Sequence, residues 1–224
     1  MTKGIIVIDK PSGITSFDVV RKVRSKFKIK KVGHCGTLDP LATGLLVILL
    51  GQDTKLFSKF STFDKAYKAT LELGVSTSTG DCQGEVSERK EVEGIIVGDI
   101  ENIFKDFMGE ITQVPPMFSA LKYHGKKLYE LARQGLEVPR KERHVKILDL
   151  KILNFRPPYV DFYVHCSKGT YIRTLAQDIG KRIGCGACIV DIRRVLLGPF
   201  NIKEAITMDK LDESHIRDWS SKVS

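Results

Sequence analysis

The sequence predicts an α/β chain of the α+β kind, with a mixed, largely antiparallel central sheet flanked by helices. Short runs that alternate apolar and polar residues, such as Val160-Asp161-Phe162-Tyr163-Val164, are typical of antiparallel strands with one buried face. Other segments repeat apolar residues at helical spacing. No strand is followed by a glycine-rich phosphate turn and a helix, so we do not expect a nucleotide-cofactor domain.

The strands begin with the apolar run Gly4 to Asp9. The unbroken apolar run Leu45 to Leu50 predicts a buried strand. Further strands are expected at Ala66 to Leu73, Val145 to Asn154, Val160 to Cys166 and Cys188 to Leu196.

The first helix is expected to open at Ser16, whose hydroxyl can cap it. Its apolar stripe comprises Phe17, Val20, Val23 and Phe27. Further helices are expected near Asp53 to Phe60, Asp99 to Met108, Lys127 to Gln134 and Thr170 to Ile183, with a short one around Met208 to Trp219.

The stretch from Pro115 to Pro139 interrupts this pattern, because it is polar, basic and punctuated by proline and glycine. We expect an insertion that projects from the sheet. An ordinary surface hairpin and helix is the alternative that the residues alone favour.

Composition excludes several protein classes. With 224 residues and 42% hydrophobic content the chain can bury a proper core, and no apolar run approaches the length needed to cross a bilayer. The first residues lack the apolar segment of a signal peptide. Five cysteines at irregular spacing fit reduced thiols, so we expect a soluble cytoplasmic protein without a membrane partner.

The net charge of +9 is unevenly distributed. Residues 21–31 contain seven basic side chains and no acid, and residues 117–146 contain eight against three acids, so the remainder of the chain is slightly acidic. Two basic patches on such a body indicate a polyanion, with nucleic acid as the first choice. Solvated helix faces are the alternative.

One carboxylate, Asp39, occupies an unusual setting. It lies in the run Gly33-His34-Cys35-Gly36-Thr37-Leu38-Asp39-Pro40-Leu41-Ala42-Thr43-Gly44, just before the apolar strand. The glycines permit backbone conformations that other residues avoid, and Pro40 disfavours a helical conformation at Asp39. Asp39 should therefore sit on a shaped loop beside a buried strand, and the spacing alone favours an ordinary turn aspartate.

This run resembles the catalytic-aspartate motif of the bacterial TruB family of tRNA pseudouridine synthases. Three other blocks recur in the same order as in that family: Lys10-Pro11-Ser12-Gly13-Ile14-Thr15-Ser16, Val114-Pro115-Pro116-Met117-Phe118-Ser119-Ala120-Leu121-Lys122 and Cys166-Ser167-Lys168-Gly169-Thr170-Tyr171-Ile172-Arg173-Thr174. The resemblance extends from about Gly4 to Phe200. It implies a pseudouridine synthase catalytic fold, with the Pro115 insertion as a thumb over the RNA.

The resemblance also implies roles for individual residues. Asp39 would be the catalytic carboxylate and Arg173 its counter-ion; a surface position on the helix is the alternative for Arg173. Tyr67 would lie on the base, supported by Tyr171, although a strand tyrosine is more often plain core. Ile192, where the family usually has leucine, would pack on the uracil.

Further residues are assigned near the cleft. His34 would fill the space that the flipped uridine vacates, unless it is merely structural. Lys10 is expected near phosphate, and Asp81 at a loop contact. On the charge pattern, Lys126, Lys127 and Arg133 would contact the RNA backbone.

The implied reaction breaks the bond from ribose C1′ to uracil N1, turns the base and joins C1′ to C5. Because it is redox neutral and needs no outside group, we expect no cofactor and no metal. Asp39 would attack as a nucleophile or remove a sugar proton, and the sequence does not choose between these routes. The single motif Cys185-Gly186-Ala187-Cys188 lacks a second ligand pair, so it predicts two small buried thiols.

We therefore expect a catalytic domain over residues 1–200, with the thumb at about 115–140, and a short extension over 201–224 that is no complete RNA-binding domain of the PUA type. The expected substrate is uridine 55 in the T arm of tRNA, and the protein is expected to be a monomer. A non-catalytic RNA-binding or tRNA-folding module, or a related synthase acting on another RNA, are the alternatives.

Overall fold

The structure of the protein, a computed structural model that describes residues 3–219, divides into two units. The first unit contains residues up to 67 and from 192 onward, and the second contains residues 68–191. The helices within the described residues are α1 Ser16–Phe27, α2 Phe57–Ser61, α3 Val97–Asp106, α4 Leu128–Ala132 and α5 Ile172–Ile183. The strands there are β1 Gly4–Lys10, β2 Val32–Cys35, β3 Thr43–Leu50, β4 Lys65–Leu73, β5 Val75–Thr77, β6 Val86–Arg89, β7 Gly109–Gln113, β8 Lys122–Tyr123, β9 Lys126–Lys127, β10 Arg143–Arg156, β11 Tyr159–Cys166, β12 Ala187–Leu197, β13 Phe200–Asn201 and β14 Ile206–Thr207.

The first unit is organised around strand β3. Strand β1 pairs antiparallel along one edge of β3, while β2 pairs antiparallel and the 193–194 part of β12 pairs parallel along the other. Strand β14 adds to β1 in parallel. Residues 45–50 are completely buried, which is what an unbroken apolar strand predicts.

The second unit is built on the long antiparallel pair β10 and β11, with β7 antiparallel to the start of β10. In β11 the side chains of Val160, Phe162, Val164 and Cys166 are buried in strict alternation. Helix α3 covers this face, where Phe104 meets Phe162 edge to face at 6.1 Å between ring centres. The strand pairs named for the second unit are antiparallel, whereas the first unit mixes parallel and antiparallel pairs, so the predicted mixed, largely antiparallel fold class is confirmed.

The insertion leaves the sheet after β7 and returns at β10, and these two strands are hydrogen-bonded neighbours. Residues 114–142 therefore form an excursion from one sheet position. The excursion contains the two-residue strands β8 and β9, which pair antiparallel, and the single turn of helix α4.

Helix α1 begins where predicted, but its cap and its buried face differ from the prediction. Thr15, not Ser16, accepts the hydrogen bond from the Asp18 amide, because the Ser16 hydroxyl is engaged by Leu38. Phe17 is 55% exposed, whereas Val19 is fully buried. Val20 and Val23 of the predicted apolar stripe are buried as expected, so the buried face of the helix takes in Val19 in place of Phe17.

The predicted helix from Met208 to Trp219 is wrong. This segment continues from β14 through two short 3-10 turns, Met208–Lys210 and Glu213–His215. Trp219 then joins an aromatic cluster, with its ring centre 5.3 Å from that of Phe60 and 4.8 Å from that of Phe200. The predicted extension thus contributes Trp219 to the first unit's core, with Ile202 and Ala205 packed against it, and residues 220–224 lie outside the described residues.

The segment predicted as a helix from Asp53 to Phe60 is divided into a 3-10 turn at Gly51–Leu56 and the short helix α2. Strands β2, β5 to β9, β13 and β14 were not predicted, because each is too short to show alternation.

Candidate active site

Asp39 lies on the loop between β2 and β3, half-buried, as its sequence predicts. The residues on both sides of it are anchored. The Leu38 amide donates to the Ser16 hydroxyl at 2.8 Å, and this hydroxyl donates back to the Leu38 carbonyl at 3.1 Å. The Pro40 carbonyl accepts a hydrogen bond from the Gly13 amide at 2.9 Å. The backbone that carries the carboxylate is therefore held by the segment between β1 and α1.

Lys10 also holds this loop, through hydrogen bonds from its side chain. Its side chain is completely buried, and its ammonium donates to the carbonyls of Pro11, Ile14 and Pro40 at 2.9, 2.7 and 3.4 Å. Burial lowers the pKa of Lys10 to about 8, and the nearby negative charge of Asp39 partly opposes that shift. This geometry supports a structural role in the loop more directly than a contact with phosphate, which stays a prediction.

Arg194 is a second buried cation at this loop, and sequence reasoning missed it. Only 1% of it is exposed, and its guanidinium donates to the carbonyls of Leu45 at 2.7 Å and Gly36 at 3.1 Å. These two carbonyls stand at the two ends of the loop that carries Asp39. One side chain therefore bridges the points where that loop leaves β2 and enters β3.

Gly44 makes this arrangement possible. Its φ is +99°, and a Cβ there would lie 2.3 Å from the Arg194 carbonyl oxygen and 2.9 Å from the Arg194 nitrogen. Only glycine permits so close a backbone approach at this φ. The glycines around Asp39 are thus explained in part by the packing of β12 on β3.

His34 lies in strand β2, paired with Ile48, and not on the glycine loop where the sequence suggested it. Burial and the positive charge of Arg194 lower its pKa, so its imidazole is neutral at neutral pH. Its buried Nδ1 has no hydrogen-bond partner within residues 3–219. The adjacent Cys35 is fully buried, and burial raises the pKa of its thiol to about 12, which excludes an activated nucleophile.

Tyr67 and Ile192 occupy strand positions with little exposure. Each is 8% exposed, Tyr67 near the start of β4 and Ile192 in the middle of β12. Their roles against the uracil stay predictions.

Arg173 and Asp81 meet in the second unit. Both are 6% exposed, and the Arg173 Nε lies 3.8 Å from an Asp81 carboxylate oxygen. The two terminal nitrogens of Arg173 donate to the carbonyls of Thr79 and Phe118, each at 2.7 Å. Arg173 is therefore no surface residue of its helix, and it connects the 79–81 loop to Phe118 in the excursion of residues 114–142.

Gln113, another residue that sequence reasoning missed, holds the backbone of the turn before α5. The Gln113 side chain accepts from the Tyr171 amide at 3.0 Å and donates to the Tyr171 carbonyl at 3.3 Å. Gln113 is 2% exposed at the end of β7. The residues from Lys168 to Thr170 form a strand-to-helix turn, since β11 ends at Cys166 and α5 begins at Ile172, two residues later than the predicted helix start.

The three basic residues assigned to RNA lie in the excursion of residues 114–142. Lys127 directly precedes α4 and Arg133 directly follows it. Their charged groups lie 5.3 and 5.4 Å from the centre of the same aromatic ring, that of Tyr129. Lys126 is exposed on the adjoining hairpin. The structure therefore groups these side chains, although their contact with RNA stays a prediction.

The cysteines behave as predicted. No disulfide joins the five, all of which lie in the described residues, and both Cys185 and Cys188 are buried. Within residues 3–219 no group of three or more histidine, cysteine, aspartate or glutamate side chains is placed to hold a metal ion. No helix in that range is long and apolar enough to cross a membrane.

Residues 24–172 match the family model described as TruB family pseudouridylate synthase, N-terminal domain. The chain belongs to the TruB family. Residues 173–221 match the model of the tRNA pseudouridylate synthase B C-terminal domain. The resemblance that the sequence motifs indicated is thereby confirmed.

Several curated relatives carry the name tRNA pseudouridine synthase B. The protein of Clostridium kluyveri is 49% identical over 95% of this chain and 73% of its own length. That of Syntrophotalea carbinolica is 46% identical over 93% of this chain and 68% of its own length. The relative from Endomicrobium trichonymphae is 47% identical over 94% of this chain and 92% of its own length.

Solved structures support the same family fold. A chain of a Cbf5-Nop10-Gar1 complex superposes with a TM-score of 0.73 at 31% identity, covering 93% of this chain. A chain of an H/ACA RNP bound to a substrate RNA containing 2'-deoxyuridine superposes with a TM-score of 0.70 at 28% identity over the same share. This chain spans about half the length of those chains, 53% and 52%.

Proposed function

We propose that this protein converts uridine to pseudouridine in tRNA, at position 55 of the T loop, with Asp39 as the catalytic carboxylate. Membership of the TruB family and the name of its relatives support the reaction class. The observation that carries the assignment to Asp39 is its loop. A half-buried carboxylate lies between two residues, Leu38 and Pro40, whose backbone is tied to the segment between β1 and α1.

A catalytic group must meet the nucleoside in one geometry, and anchoring of this kind fixes that geometry. The carboxylate would act on the ribose while the C1′–N1 bond breaks, and C1′ then bonds to C5 of the same uracil, which later loses its proton. All atoms of the base are retained, so no external group, cofactor or metal enters. Attack on the sugar and removal of a sugar proton both stay open for Asp39.

The other site residues have supporting roles in this proposal. Arg173 would keep Asp39 ionised, and its buried, multiply bonded guanidinium is suited to a fixed charge. Tyr67 would lie on the base with support from Tyr171, and Ile192 would pack on the uracil. His34, neutral and with an unpartnered ring nitrogen among residues 3–219, has hydrogen-bonding capacity for the space left by a flipped base.

Asp39→Asn tests the assignment against a matched control. Asparagine keeps the shape of the side chain but loses its charge, so we expect the variant to fold and to bind a T-arm hairpin RNA. We expect at least a roughly thousandfold loss of pseudouridine formation, because an amide can neither attack the sugar nor accept its proton efficiently. Asp64→Asn removes an exposed carboxylate of the same unit and should leave turnover unchanged.

Mapping pseudouridines in several tRNA transcripts separates the proposal from its alternatives. Modification at T-loop position 55 alone supports it, and turnover by Asp39→Asn at the normal rate contradicts it. RNA binding without any pseudouridine would favour the non-catalytic module. Modification elsewhere would favour a synthase with another RNA substrate. We further propose a cytoplasmic location and a monomeric state, the latter testable by sedimentation.

A further inference from the structure

An open cleft of about 750 Å³ lies in the first unit, apart from the residues assigned to the reaction except Lys10. One wall is the side of α1 that bears Lys22 and Lys26. The opposite wall is the turn from Thr207 to Leu211, which follows β14. Asp9 and Lys10, at the end of β1, also line the cleft, and β14 pairs with β1 at Asp9.

Lys22 and Lys26 supply most of the available positive charge. They are one helical turn apart and therefore lie on the same face of α1. Both are exposed, and neither forms an ion pair with another residue of the described range 3–219. Two unpaired ammonium groups at this spacing can contact neighbouring phosphates of one strand.

The remaining charges of the cleft are largely accounted for. Arg193 donates to both carboxylate oxygens of Asp9, at 3.0 and 2.5 Å, which neutralises that acid. Arg193 also donates to the Thr43 hydroxyl at 3.4 Å. Asp209 opposes the two lysines, and a hydrogen bond from Thr207 lowers the pKa of its carboxyl, so it is ionised at neutral pH.

One part of the cleft directly precedes, in the chain, the segment that holds the loop of Asp39. Lys10 and Pro11 line the cleft, and the residues directly after them hold the catalytic loop: the Ser12 hydroxyl donates to the Leu41 carbonyl at 3.1 Å. Thr43 stands four residues beyond Asp39. A strand that places a nucleotide at Asp39 would therefore have its neighbouring backbone close to this cleft.

We infer that the cleft binds the sugar–phosphate backbone of the substrate tRNA next to the nucleotide presented to Asp39, with Lys22 and Lys26 on phosphates. The inference rests on the proposed function for the identity of the RNA. The half-buried apolar side chain of Met208 offers contact to sugar carbons.

The test compares Lys22→Ala/Lys26→Ala with Lys55→Ala/Lys59→Ala. The control pair has the same spacing and lies exposed in the same unit, outside the cleft. Binding of a T-arm hairpin RNA is measured by fluorescence anisotropy across a salt series. Loss of two phosphate contacts should reduce the slope of log K against log salt by about 1.4 to 1.8, and the control should keep the slope of the unaltered protein.

Asp209→Asn serves as a gain-of-binding variant. Asparagine keeps a side-chain acceptor and removes the opposing charge, so RNA affinity at low salt should rise. An unchanged slope and unchanged affinity in Lys22→Ala/Lys26→Ala would overturn the inference. Absence of pseudouridine formation by the unaltered protein would refute the proposed function instead, and the slope comparison would still decide whether the cleft binds RNA.

Discussion

Replacing Arg194 with lysine tests whether one buried guanidinium sets the position of the catalytic loop. Arg194 holds the carbonyls of Gly36 and Leu45 with two different nitrogens, at 3.1 and 2.7 Å. A lysine ammonium has three donors but only one nitrogen, so it cannot hold both carbonyls from the two separate positions that the guanidinium nitrogens occupy. The substitution keeps the positive charge near Lys10 and His34, and it removes one end of the bridge.

The expected loss follows from the bond that is broken. A hydrogen bond to a charged group contributes about 1.5 to 3 kcal/mol, and the abandoned carbonyl is left buried. We expect the free energy of unfolding to fall by about 2 kcal/mol, which for a chain of this size lowers the Tm by roughly 4–8 °C. If the loop also shifts by about 1 Å, the kcat for pseudouridine formation should fall up to about 100-fold, with a much smaller change in the KM for RNA.

Calorimetry gives the Tm, and kinetics well below it give kcat and KM. Arg217→Lys is the matched control, since Arg217 also donates to two oxygens, both of Glu204, but is 43% exposed in its side chain. That control should cost less than about 1 kcal/mol. A Tm and a kcat for Arg194→Lys that equal those of Arg217→Lys would refute the reasoning. A lower Tm with an unchanged kcat would show that Arg194 stabilises the unit without positioning Asp39.

Two further predictions concern the thiols and the pH dependence of stability. In the folded protein, a disulfide reagent at pH 8 should modify Cys82 alone, because the other four cysteines are buried. Burial also raises the pKa of the Cys35 thiol to about 12 and that of the Cys188 thiol to about 11. A second fast-reacting thiol before addition of urea would contradict this prediction. The lowered pKa of His34 means that the unfolded chain binds a proton below about pH 6.5 that the folded chain does not, so stability should fall as the pH drops through that value, by up to about 1.4 kcal/mol per pH unit. Urea unfolding at pH 7.5 and 5.5 should show a smaller fall for His34→Gln, and equal falls would exclude this histidine as the cause.

The regular elements were predictable from the sequence where local pattern and burial agree. The run Leu45 to Leu50 needed no partner to be recognised, since an unbroken apolar segment fits only a strand covered on both faces. The alternation in β11 was equally direct. The segment from Met208 to Trp219 failed because its shape is set by distant residues: β14 forms on β1, and Trp219 packs on Phe60.

The site residues divide in the same way. Asp39 stood out because its neighbours in the chain are unusual. Arg194 and Gln113 gave no such signal, because each acts on backbone that is distant in sequence, Arg194 on Leu45 and Gln113 on Tyr171. An arginine in an apolar strand next to a glycine-proline turn was a usable hint, since a buried charge must find several acceptors.

The spacing of the motif blocks has a physical explanation in the first unit. Only Lys10 carries a charge in the block from Lys10 to Ser16, so the sequence alone does not show what this block does for Asp39. In the structure the Lys10 ammonium and the Gly13 amide both donate to the Pro40 carbonyl, and the Ser16 hydroxyl binds both backbone groups of Leu38. A loop that presents a carboxylate satisfies few hydrogen bonds by itself, so its carbonyls need donors from elsewhere. The block supplies donors to the carbonyls on both sides of Asp39, which is why two segments about thirty residues apart behave as one site.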